Sequence, residues 1–255
     1  MVVCILKENC EQYKINKMKG KLIVIDGTDG VGKATQTAKL VKRLETEGYQ
    51  TETLDFPRYK EHFGKLIGEC LNGMDCITNW KGDPKDVGFA SLHPKIASVL
   101  YAADRFDTSS TIEKWLLEGK VVVLDRYVSA NQIHQGGKIT DENERKEFLK
   151  WLDHMEHGIF KIPRPDKIIY LDVPIEITQK LLQEKSSNIK KEYKKSGIDA
   201  HENNVDHLIA AKISGLKMVE QLNSWERIEC YSDNQLISIE GVHERIWQIV
   251  LKVLN

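Results

Sequence analysis

Cysteine and unbroken apolar sequence are both scarce in this 255-residue chain. The five cysteines, Cys4, Cys10, Cys70, Cys76 and Cys230, are odd in number and contain no C-x-x-C pair. Two pairs share a C-x5-C separation, but no histidine stands nearby at zinc-site spacing. A disulfide scaffold is not expected at this length, and a reducing compartment fits. The longest aliphatic runs, residues 22–25 (LIVI) and 121–124 (VVVL), are far short of the roughly 20 residues a membrane span needs. Charge of one sign is missing too: 37 Lys and Arg face 38 Asp and Glu. A sequence-independent nucleic-acid binder needs a basic surplus to displace counterions, so that class is set aside. The first twenty residues have neither the apolar stretch of a signal peptide nor the Arg-rich, acid-poor character of a transit peptide. The expectation is a cytoplasmic protein with no membrane and no nucleic-acid polymer as partner.

With 41% hydrophobic and 29% charged residues, the chain can build a core and is not a disordered polymer. Residues 1–17, ahead of Met18, read as a loosely attached extension or an upstream start. Residues 18–255 read as one domain, free of internal repeats and low-complexity linkers. Residues 21–26 (KLIVID) form a continuous apolar run, the pattern of a strand buried on both faces of a parallel sheet. Further strands are expected at 51–56, 121–125, 167–173 and, last, 235–239. Helical periodicity covers 32–47, stopped by Gly48, then 93–119 and 242–254. Strand and helix in alternation predict an α/β protein of three layers, α/β/α, with about five parallel strands. Residues 183–204 carry Lys185, Lys190, Lys191, Lys194 and Lys195 with few apolar residues, and read as a solvated surface loop inserted in the domain.

The most informative stretch runs Gly27-Thr28-Asp29-Gly30-Val31-Gly32-Lys33-Ala34-Thr35, between the first strand and the first helix. Its three glycines let backbone N–H groups wrap around phosphate oxygens. The helix starting near Gly32 adds the positive end of its dipole, and Lys33 adds a full charge. Spacing and flanks together predict a phosphate-binding loop and a P-loop NTPase fold. One position departs from the pattern. The residue after the lysine is normally Ser or Thr, whose hydroxyl coordinates Mg²⁺; here it is Ala34, with Thr35 one place later.

Four clusters follow strands or lie on the long middle helix, where ligands of open α/β sheets bind. Arg58 and Tyr59, after strand two, suit a phosphate and a base, though a plain turn also explains them. Tyr101 and Arg105, four apart, share a helix face fit for a planar base with carbonyl acceptors; a packed tyrosine beside a surface arginine is the alternative. Asp125 and Arg126 end strand three, where buried charge is costly unless it pairs or meets phosphate or metal. Asn131, His134 and Gln135 come next. His154 and His157, with Glu156 between them, read as exposed helix residues rather than metal ligands.

Taken in order, IDGTDGVGKATQ, FPRY, FGKLIGECLNG, YAADRFD, LDRYVSANQIHQGGK, LDVP and DAHE resemble the thymidylate kinases of the P-loop nucleoside monophosphate kinase family. The resemblance runs from about Lys21 to the C-terminus. It implies ATP as phosphoryl donor, held by Lys33 and the amides of residues 29–35, with Gly27 and Thr28 opening the loop. It implies dTMP as acceptor: Arg58 and Arg126 on the 5′-phosphate with Tyr59 beside them, and Tyr101 stacked on the base. Arg105 would donate to a base carbonyl, Asn131 would stand at the base edge, and Gln135 would be close by. His134 stands near the sugar, where the family more often has tyrosine. Asp125 and Asp29 would flank Mg²⁺. Residues 183–204 would be a mobile lid, with Lys190, Lys191, Lys194, Lys195, Asp199 and Glu202 as its charged groups. A homodimer is implied as well. Two other readings stay open: a kinase for dUMP or a broader set of monophosphates, and a catalytically weak nucleotide binder on account of Ala34.

Overall fold

The computed structural model describes residues 20–71, 92–192, 205–232 and 235–255. Five parallel strands build the central sheet: β1 (Lys21–Gly27), β2 (Thr51–Asp55), β3 (Val121–Asp125), β4 (Lys167–Asp172) and β5 (Trp225–Glu229), in the order β2-β3-β1-β4-β5. β1 lies in the middle, with Ile25 level with Asp125 of β3 and Ile169 of β4. Side chains alternate between the faces of a strand. In β1, Ile23 and Ile25 accordingly face one helical layer while Leu22 and Val24 face the other, all four fully buried.

The Ile23/Ile25 face is covered by α1 (Lys33–Thr46), through Leu40 and Leu44, and by the C-terminal α8 (Ile239–Leu254), through Val242, Ile246 and Val250. On the Leu22/Val24 face lie α3 (Pro94–Leu117), with Ile112 and Leu116, and α7 (Val205–Gln221), with Ala211 and Met218. This is the three-layer arrangement expected. Between these come α2 (His62–Leu71), a short turn α4 (Val128–Ala130), α5 (Glu142–Asp153) and α6 (Ile175–Glu192). α4 widens into a π-helical turn at Asn131–Gln135, and α5 does the same at His154–Ile159. Pro94 at the start of α3 and the His93 side chain accepting from Lys95 N fix where that helix begins.

Two expectations are corrected. The last sheet strand is Trp225–Glu229, not 235–239, of which only Gln235–Leu236 is extended, paired with Tyr231–Ser232 in a small hairpin. β5 is an edge strand in which only Trp225 and Ile228 are buried, so it has no continuous apolar run to announce it. The polar insertion is not all loop, since α6 continues to Glu192. Lys194, Lys195, Asp199 and Glu202 lie outside the described residues, as do the side chains of Lys190 and Lys191 and all of residues 1–17. Cys70 in α2 is disulfide-bonded, whereas Cys230 is a buried free thiol. No described helix is long and apolar enough to cross a membrane.

Candidate active site

At the carboxyl edge of the sheet, the segments leaving β1, β2 and β3 border a cavity of about 500 Å³, of ordinary size for a small-ligand site. One end is the glycine loop. At Gly27 φ is +153°, and a Cβ there would lie 2.7 Å from the Leu171 carbonyl oxygen of β4. At Gly30 φ is +80°, and a Cβ would meet Leu182 of α6 at 2.9 Å. Neither position accepts a side chain without displacement, so the loop stays tight against the sheet. The Lys33 ammonium lies inside its curve, donating to the carbonyl oxygens of Thr28 (2.7 Å) and Gly27 (3.3 Å). Thr28 and Val31 are buried behind the loop, while Asp29, Gly30, Gly32, Lys33, Ala34 and Thr35 face the cavity.

Arg126 arches over this loop from the end of β3. Its φ is +64°, a region a non-glycine residue occupies only under constraint from its surroundings. Its guanidinium pairs with Asp29 and donates to His134 Nε2 at 2.8 Å. Burial opposes both charges, but the pairing wins: Arg126 and Lys33 hold the Asp29 carboxyl far below the usual range. Asp29, Asp26 and Asp125 in turn keep Arg126 firmly protonated. Burial, reinforced by Arg126, lowers the Lys33 ammonium to about 8. Asp125 is pushed up by burial and then by the nearby Asp26 and Asp55 carboxylates. His134 is held well below its ordinary value by burial and by Arg126, so its ring is a neutral acceptor for that arginine. It stacks on His207 of α7, with ring centroids 5.4 Å apart.

The other end of the cavity is built by α3 and the turn after β3. Tyr101 and Arg105 both reach the wall from α3, one turn apart, as their spacing predicts, and Asn131 and Gln135 face them. Tyr59 and Pro57 supply the wall on the β2 side. Arg58 departs from expectation. Its guanidinium lies outside this wall, donating to Asp104 and, at 2.6 Å, to Asp107. Two α3 carboxylates within reach, one of them buried, compete effectively for that charge.

Several residues here were not singled out from the sequence. Glu156 is fully buried and accepts from both Arg105 and Asn131. A signal for it existed: Phe148, Leu152 and Glu156 fall four apart on the buried stripe of α5 and its extension, and an acid there needs a partner. Asp104, Lys138 and His207 also border the cavity. Asp26, wholly buried behind the loop, accepts from Gly27 N (2.8 Å) and Ser129 Oγ (2.6 Å), joining the loop to the turn after β3.

A lysine-bearing glycine loop ahead of a helix, at the carboxyl edge of a parallel sheet, defines a P-loop nucleotide-binding protein. A family model described as thymidylate kinase matches residues 25–211. The chain belongs to the thymidylate kinase family. It is 31% identical over 157 residues to human thymidylate kinase, a stretch covering 62% of this chain and 63% of that protein. To a probable thymidylate kinase of Pyrococcus abyssi it is 27% identical over 234 residues, 91% of this chain and 97% of the other. Among solved structures, thymidylate kinase from Candida albicans shares the fold with a TM-score of 0.63 at 22% identity, covering 92% of each chain.

Proposed function

We propose that this protein transfers the γ-phosphoryl group of ATP to dTMP, giving dTDP and ADP. The observation that carries this reading is one cavity lined by two cationic groups at the glycine loop and by Tyr101, Arg105 and Asn131 from α3 and the turn after β3. Lys33 and the loop amides suit the triphosphate; Arg126, tied to the same loop through Asp29, suits a second phosphate facing it. Tyr101 offers a ring face for a pyrimidine and Arg105 a donor for a ring carbonyl. A phosphate oxygen of dTMP attacks the γ-phosphorus as the bond to the β–γ bridging oxygen breaks, and ADP leaves. The protein's part is alignment and charge neutralisation, with no covalent enzyme intermediate. Asp104 and Asp107 hold Arg58 beside this wall, where exchange of a carboxylate for a phosphate would bring it onto the acceptor.

Mg²⁺ fits the acidic wall. Burial and two neighbouring carboxylates push the Asp125 carboxyl upward, a penalty that a hard cation relieves. Asp125 would hold it together with nucleotide oxygens and water in place of the hydroxyl missing at Ala34; Asp29, engaged by Arg126, would act from the second rank. When bound, the ion neutralises charge on the β- and γ-phosphates. Among the described residues no three His, Cys, Asp or Glu side chains form a metal cage, which suits an ion that arrives on its nucleotide. We also propose a homodimer, formed through the outer face of α3, and a cytoplasmic location.

A coupled assay with ATP and dTMP, dUMP, UMP or GMP as acceptor, under magnesium titration, tests the reading. Turnover is expected to be fastest with dTMP. ATP binding without any dTMP-dependent ADP release, at every magnesium concentration, would contradict it.

A further inference from the structure

The Glu156 carboxylate is fully buried under the base end of the cavity and takes no part in the chemistry above. It accepts Arg105 Nε at 2.7 Å on one oxygen, and Arg105 Nη2 at 2.6 Å and Asn131 Nδ2 at 2.9 Å on the other. Arg105 also donates from Nη1 to the Tyr127 carbonyl oxygen at 3.3 Å. A guanidinium has five N–H donors. Three are thus occupied, and two remain for whatever fills the cavity.

The effect on Asn131 is sharper. Its amide meets Glu156 on one side and the Ser98 carbonyl oxygen, 3.2 Å away, on the other. Both neighbours only accept, so the amide must turn its nitrogen to them and spend both N–H groups there. Its carbonyl oxygen is the group left for the cavity. The wall then presents donors from Arg105 next to an acceptor from Asn131. That polarity matches a carbonyl beside a ring N–H, the imide edge of thymine or uracil. Cytosine offers the reverse, an amino donor beside a bare ring nitrogen, and would set donor against donor and acceptor against acceptor.

We propose that Glu156 is the positioning residue that sets this polarity, and with it the choice of an imide-bearing pyrimidine over an amino-bearing one. The proposal rests on the dTMP-kinase reading for its substrate, but its residue and readout are separate. Glutamine offers one accepting oxygen where three donors need places, so in Glu156→Gln the Asn131 amide loses the shorter of the two contacts that orient it.

The test is the coupled assay on wild type, Glu156→Gln and Glu156→Asp with dTMP and dCMP, melting temperatures alongside. For Glu156→Gln the expected loss in kcat/KM for dTMP is about a hundredfold, carried by KM, and the dTMP-over-dCMP ratio falls at least about tenfold. KM for ATP stays within about twofold. Glu156→Asp, which keeps the acceptors on a shorter arm, should recover most of the ratio with a KM raised about tenfold. A purely structural role would lower melting temperature and both substrates together without moving the ratio, and that result overturns the proposal. If Glu156→Gln does not fold, Glu156→Asp decides, and an unchanged KM for dTMP overturns it. Should wild type transfer nothing to dTMP, the kinase reading fails. Equilibrium binding of dTMP against dCMP to the same three proteins then decides the role of Glu156 on the same ratio.

Discussion

Lys33 is the residue whose chemistry constrains the site most. Burial and Arg126 bring its ammonium down to about 8, so the free protein loses this charge within an accessible pH range. A triphosphate needs the charged form. ATP affinity should therefore weaken as pH rises through about 8, the dissociation constant climbing toward tenfold per pH unit. Between about pH 7.5, where ATP is fully ionised, and pH 9.5, binding titrations check this; a flat profile would contradict it. Lys138, also lowered to about 8 by burial, borders the base end and should not weigh on ATP alone. The stability sign is opposite. An unfolded lysine, near 10.5, binds more protons than native Lys33 between about pH 8 and 10.5, so this group makes stability rise with pH there. At Gly27, alanine would force a Cβ against the Leu171 carbonyl oxygen at a positive φ, at a cost of about 1–3 kcal/mol. Urea unfolding of Gly27→Ala should show that loss together with weaker ATP binding; an unaltered midpoint would contradict it. Lys33, Asp29 and Arg126 could be read from the sequence because loop and strand end fix where they stand. The Arg58 pairing could not, and for Glu156 only the need for a partner was legible, since which side chains distant segments bring within 3 Å is set by the fold.

At the scale of elements, α3 is apolar on two faces. Ile112 and Leu116 bury against the sheet, yet Ile96, Val99, Phe106 and Leu117, spaced along the opposite side, are all exposed. A second apolar face along a helix is normally covered, so a second copy of the chain is the proposed cover. Val99→Glu should shift a dimer toward monomer in sedimentation velocity, with melting temperature changed little at high protein concentration. A wild-type monomer at all concentrations would contradict this. β1, β3 and β4 were plain in sequence because burial on both faces writes a continuous apolar run, whereas β5, half exposed at the sheet edge, writes none.

For the whole molecule, what matters is that three parallel strands end together. Gly27, Asp55 and Asp125 close β1, β2 and β3 along one edge, so the glycine loop and Arg126, the two proposed phosphate grips, start within a few residues of each other. The strand–helix alternation made this architecture legible. The sheet order, which brings the end of β3 beside the glycine loop, came only with the structure. That adjacency is the reason to expect transfer between two bound anions rather than hydrolysis of one. Incubation with ATP labelled in its γ-phosphoryl group, with dTMP present, tests it directly. The label is predicted to appear in the terminal phosphate of dTDP, in amounts equal to the ADP released. Label recovered only as inorganic phosphate, or retained in ATP, would contradict the account.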